Sequence, residues 1–195
     1  MAEPVIRRLH EDSPMTDAEW QARIDLAACY RLVAHFDMDD LFATHISVRA
    51  PGAAEHFLLN PYGMHFSEIT ASSLVKVDLD GNIVSNTDHV INPAGFVIHS
   101  AIHAARHDAK CVLHTHSVAG MAISSMEEGL QPWFQKATRF HNRLAYHDFE
   151  GKAQDLDERE RLVRDLGEKN YLVLRNHGLL VCGPTIGHAF REMYA

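Results

Sequence analysis

His114 and His116 close the run Lys110-Cys-Val-Leu-His-Thr-His-Ser117, and their spacing carries the clearest chemistry in this chain. Cys111, Val112 and Leu113 predict a short buried strand. Strand side chains alternate between faces, so two imidazoles separated by one residue point the same way. At about 3.3 Å of rise per residue their Cα atoms lie roughly 6 to 7 Å apart, close enough for both rings to reach one ion. A third candidate stands in Leu172-Val-Leu-Arg-Asn-His-Gly-Leu-Leu-Val-Cys-Gly183, which reads as strand, tight turn, strand. His177 sits at that turn beside Gly178, and the apolar runs on either side hold the tip in place. Neutral imidazole is the commonest protein ligand for a transition metal. With 15 histidines in the chain a single His-x-His pair also fits chance; the third, placed histidine shifts the reading to a metal site.

The elements that must carry these residues can be read from periodicity. Residues 1–15 hold Pro4, Pro14 and mixed charge without a pattern and are expected to form an N-terminal arm, leaving 16–195 as a single domain. Thr16-Asp-Ala-Glu19 is a helix-opening capping sequence. Trp20, Ile24, Ala27, Ala28 and Leu32 then recur at helical spacing to about Phe36 and are expected to face the core. Leu41–Ala50 and Glu55–Asn60 flank a Pro51-Gly52 turn and predict a hairpin, and Leu74–Leu79 a further strand closed by Asp80-Gly81. Pro93 opens a helix to about Arg106. His99 and His103 lie four apart on it, but the segment lacks the glutamate of the zincin pattern, so they are assigned a structural or rim role. Arg159–Leu166 reads as an exposed charged helix ending at Gly167, and Thr185 caps a last helix.

Composition narrows the function classes. The 195 residues are 46% hydrophobic and 23% charged, which suits one globular domain with a sizeable core. A net charge of -8 offers no broad basic surface, so nucleic acid is not an expected partner. No run reaches the roughly 18 apolar residues of a membrane span. The stretch Met1–His10 has no apolar signal core, and a cytoplasmic protein is expected. Cys29, Cys111 and Cys182 sit in apolar surroundings without a CxxC and are read as buried reduced thiols.

Taken together, Asn92-Pro-Ala-Gly-Phe-Val-Ile-His-Ser-Ala-Ile-His-Ala-Ala-Arg106, Val112-Leu-His-Thr-His-Ser117 and Arg175-Asn-His-Gly-Leu-Leu180 resemble the class II aldolase/adducin family. The similarity runs from about Trp20 to the C-terminus. It implies an α/β fold, a three-layer α/β/α sandwich around a mainly antiparallel central sheet, assembled as a homo-oligomer, usually a tetramer. It also implies a small-molecule substrate and a divalent metal, typically Zn2+ and in some members Mn2+ or Co2+, held by His114, His116 and His177. The chain departs from the sugar-phosphate aldolases at Gly95, where they carry a glutamate that serves as metal ligand and acid/base. Thr44-His45 replaces their phosphate-cradling Gly-Asn pair, and Pro93-Ala94 and Tyr62 replace their serines, so an aldolase-type phosphate pocket is not expected. The Ala94-Gly95-Phe96 form resembles the adducin branch and its bacterial relatives.

Two functions follow from this combination. One is a metal-dependent lyase that cleaves a small oxygenated carbonyl or carboxylate compound by retro-aldol reaction or decarboxylation. In the absence of the glutamate, proton transfer then falls to His45, Tyr62 or His147 as candidate catalytic residues. The other is a noncatalytic adducin-like binding or oligomerisation module in which a metal only braces strand ends.

Overall fold

The computed structural model describes residues 7–8, 15–53, 55–151 and 157–195, and of residues 7 and 8 the backbone alone. Most of the arm expected over residues 1–15 therefore lies outside the described residues. Within it β1 (Arg7–Arg8) pairs in parallel with β5 (Asn82–Ile83) at one sheet edge.

The Thr16 hydroxyl accepts from the Glu19 amide at 3.1 Å and opens α1 (Asp17–His35). β2 (His45–Arg49) and β3 (His56–Leu59) form the expected hairpin, followed by a 3₁₀ turn at Phe66–Glu68 and β4 (Val75–Asp78). α2 (Pro93–Ala105) starts with proline and is capped by Asn92, whose side chain accepts from the Ala94 amide. β6 (Cys111–Thr115), α3 (Val118–Ser124), α4 (Gln135–Thr138), β7 (Leu144–His147) and α5 (Glu158–Leu166) come next. β8 (Tyr171–Leu174), β9 (Gly178–Gly183) and α6 (Ile186–Tyr194) complete the chain, with Thr185 capping α6.

The strands form one open sheet in the order β1-β5-β4-β3-β2-β6-β9-β8-β7. Two edge pairs, β1 with β5 and β7 with β8, are parallel, and the remaining pairs are antiparallel. Helices cover both faces. Leu26, Tyr30 and Val33 of α1 and Ala189 of α6 pack on Ile46, Val48, Cys111, Leu113 and Val181 on one side. Ile98 and Ile102 of α2 and Leu162 and Leu166 of α5 pack on Val112, Leu172, Leu180 and Cys182 on the other. Strands covered on both faces have no solvent side, which is why β2 and β6 are buried along their whole length, β2 with the polar His45, Ser47 and Arg49 included. The result is the α/β/α sandwich around a mainly antiparallel sheet.

One expectation fails on α1. Trp20, Ile24 and Leu32 are 43%, 41% and 41% exposed, whereas Glu19, Arg23, Leu26, Ala27, Tyr30 and Val33 are buried. The helix is turned by an ion cluster. Arg23 pairs with Glu19 at 2.9 Å and donates to the Leu74 carbonyl at 2.6 Å, and Lys76 reaches the other Glu19 oxygen at 3.1 Å. Burying charges this way is tolerated because each is both paired and hydrogen-bonded. On α5, Glu158 is also buried beside Leu162 and Leu166, so that helix is less solvated than its charge run suggests. The three cysteines are free and buried, and burial pushes the thiols of Cys29 and Cys182 up to about 12 and that of Cys111 well above its ordinary value. Among the described residues no helix is long and apolar enough to cross a membrane.

Candidate metal centre

β6 runs out at Thr115, and its alternation sends Cys111 and Leu113 toward α1 and α6 but Val112 and His114 toward α2. His116, one residue past the strand, stays on the His114 side: their Nε2 atoms lie 2.9 Å apart. His177 arrives from the β8–β9 turn, where Asn176 takes a left-handed φ of 55°. Its ring centroid is 4.8 Å from that of His114 and 4.9 Å from that of His116. One ring nitrogen from each of the three falls within 4.8 Å of the others. Glycine must follow His177, because a Cβ at residue 178 would meet the Thr115 carbonyl at 2.5 Å and the His116 ring at 3.0 Å.

The groups behind the rings decide which nitrogens face inward. His114 Nδ1 lies 2.9 Å from the Leu179 carbonyl, so that nitrogen carries the proton and donates it, leaving Nε2 bare. His116 Nδ1 lies 3.0 Å from Asp40 Oδ2, which selects the same tautomer. A carbonyl or carboxylate behind a ligating imidazole is the usual outer support of a metal site. Four tetrahedral nitrogens about 2.0 Å from zinc would sit about 3.3 Å apart, so an ion would widen the observed 2.9 Å by a few tenths. Burial, reinforced by the neighbouring imidazoles, holds His114 well below the usual histidine pKa and brings His177 down to about 4. Both are therefore neutral, ligand-ready bases at pH 7. The residues present fit a divalent ion, and among the described residues no fourth His, Cys, Asp or Glu joins the set.

Beside the triad lies a cavity of about 360 Å³ with His45, Asn92 and His177 as its polar wall and Phe42, Tyr62, Ala94, Ile98 and Phe149 as its apolar wall. The β2–β6 register sets His45 directly across from His114, with ring centroids 4.9 Å apart. Tyr62 is 46% exposed and packs edge-on against Phe42 at the cavity mouth. His147 is placed differently. It ends β7 and turns to α5, with Nδ1 2.8 Å from Asp165 and Nε2 3.4 Å from Glu158. Glu158 and then Asp165 hold its pKa above the ordinary value, and it does not line the cavity. His99 and His103 are fully buried against β2 rather than at a rim. Asp40, in the acidic run before β2, was not singled out from the sequence: nothing local pairs it with residue 116.

Residues 24–195 match the family model described as Class II Aldolase and Adducin N-terminal domain. The chain belongs to the class II aldolase and adducin family. A class 2 aldolase-type protein of Caulobacter vibrioides is 55% identical over 194 residues, covering all of this chain and 76% of that protein. Alpha-adducin of Rattus norvegicus is 46% identical over 171 residues, which is 86% of this chain but 23% of the adducin. Among solved structures, an aldolase II superfamily protein from Pseudomonas syringae superposes with a TM-score of 0.89 at 54% identity, covering 92% of this chain and 72% of the other. An L-fuculose 1-phosphate aldolase from Glaciozyma antarctica gives 0.79 at 32% identity, covering 91% and 72%. Within this family the chain keeps a histidine triad able to hold a metal, while α2 carries glycine at 95 and no carboxylate from Pro93 to Ala105.

Proposed function

We propose that this protein is a metal-dependent lyase acting on a small oxygenated carbonyl or carboxylate compound, by retro-aldol cleavage or decarboxylation. The observation that carries the reading is three converging imidazoles beside a cavity, a donor set that leaves a coordination position open. His114, His116 and His177 would hold the ion, with zinc favoured by an all-nitrogen set. Bound there, the ion supplies positive charge where a carbonyl oxygen gains electron density as the C–C bond breaks. Leu179 and Asp40 keep the His114 and His116 rings aimed. Phe42, Tyr62, Ile98 and Phe149 limit water around the substrate carbon skeleton. His45 and Tyr62 reach the cavity and are the groups that would move a proton; His147, tied to α5, takes a bracing role at the end of β7. The apolar lining suits a substrate without a phosphate.

The relation to alpha-adducin and the glycine at 95 favour a second reading, a binding module in which the ion only braces strand ends. Metal analysis of purified protein, with turnover screened on hydroxy-keto acids and aromatic carboxylates, separates them. The lyase reading expects about one ion per chain and activity lost in both His116→Ala and chelated protein. Activity that persists without metal overturns it, and an ion closed off by four protein ligands favours the module. A homo-oligomer, the tetramer expected above, and a cytoplasmic location belong to the same proposal; sedimentation velocity and fractionation test them.

A further inference from the structure

Behind the cavity wall four buried polar side chains stand in single file. His45 Nδ1 lies 2.8 Å from His99 Nε2, His99 Nδ1 lies 2.5 Å from Ser47 Oγ, and Ser47 Oγ lies 2.7 Å from His103 Nε2. None of the four is more than 2% exposed. Each neutral imidazole carries one proton on one nitrogen, and the hydroxyl has one proton to give. If Ser47 donates to His103, it must accept from His99 Nδ1. His99 then offers a bare Nε2 that takes the His45 Nδ1 proton, and His45 is left with a bare Nε2. If Ser47 donates to His99 instead, every ring proton moves to Nε2. The string therefore locks the three rings into one shared tautomer.

At the far end His103 Nδ1 makes no hydrogen bond among the described residues, so the file alone ties the state of the three rings together. The string does not pass charge inward, because burial and Arg49 bring His103 down to about 3, so an imidazolium at its end is strongly disfavoured at neutral pH. Space for the leading ring comes from glycine at 95: a Cβ there would lie 2.8 Å from His45 Cδ2. His45 thus fills room beside the triad that a longer side chain at 95 would claim.

We propose that His99, Ser47 and His103 are positioning residues that hold His45 in a single tautomer, so that its Nε2 meets a hydroxyl-bearing ligand in the cavity with one fixed hydrogen-bonding role. The inference concerns the cavity on which the lyase reading rests, but its test needs no turnover. Long-range proton–nitrogen spectra of histidine-labelled protein, assigned through His45→Gln, His99→Gln and His103→Gln, are expected to show one and the same tautomer for all three residues. Ser47→Ala, which removes the hydroxyl without adding volume, is expected to keep the amide spectrum of the fold while His45 populates both tautomers. Gly95→Ala is expected to displace His45 and abolish its single tautomer too. Mixed or differing tautomers among the three in the parent protein, or an unchanged His45 in either variant, overturns the proposal. Expected tautomers without turnover on any substrate would sink the lyase reading alone, and turnover with mixed tautomers would sink only the lock.

Discussion

Lowering the pH from 7.5 to 5 should destabilise this protein far above the range where its carboxylates titrate. His45, His99, His103 and His114 are each at most 2% exposed, and burial holds all four below the histidine pKa of 6.5, His103 at about 3. The sign follows from proton counts. Below 6.5 the unfolded chain binds protons that the folded one refuses, so stability is full above 6.5 and falls as the pH drops toward the folded values. At pH 5 each ring unprotonated in the fold costs about 2 kcal/mol relative to pH 7.5. Four rings together cost up to about 8 kcal/mol, comparable with the whole stability of a typical domain. Urea unfolding of chelated protein across this window measures it. His103→Gln should remove one ring's share, so that its loss of stability between pH 7.5 and 5 is smaller by about 2 kcal/mol. A urea midpoint that stays level from pH 7.5 to 5, or an equal pH slope in His103→Gln, would refute the reasoning.

Asp40→Ala removes the carboxylate behind His116 and should weaken zinc binding about 10- to 100-fold in chelator competition; equal affinity would mean that Asp40 does not aim the ring. Tyr30→Phe deletes a buried hydroxyl that accepts from the Ile46 amide at 2.9 Å and the Asn60 amide at 3.1 Å. Two stranded backbone donors should cost about 2 to 4 kcal/mol in urea unfolding, and a loss below about 0.5 kcal/mol would contradict the assignment. Gly178→Ala puts a methyl 2.5 Å from the Thr115 carbonyl, so it should cost about 1 to 3 kcal/mol and lower zinc affinity together. A stable variant with intact zinc binding would show that β6 and β9 can part without disturbing His116.

Much of the fold was legible because its signals are local. Thr16, Pro93 and Thr185 mark helix starts through their own backbone chemistry, and the turns at Pro51-Gly52 and Asn176 join strands that then pair as neighbours. The face of α1 was not legible. Trp20, Ile24 and Leu32 keep helical spacing as well as Leu26, Tyr30 and Val33 do, and the choice between the stripes was made by Lys76, from a different strand, closing on Glu19.

The same division runs through the site. Alternation along β6 by itself puts His114 and His116 on one side of the sheet, since a period of two needs no other element to enforce it. The approach of His177 came from pairing β9 with β6, the turn of His147 toward Asp165 from setting α5 against β7, the hold of Asp40 on His116 from bringing the segment before β2 beside the end of β6, and the file from His45 to His103 from pairing β2 with β6 and laying α2 across them. Such contacts join residues far apart in the chain, and only the closed sandwich, with both faces of its sheet dry, compels those polar groups to find one another.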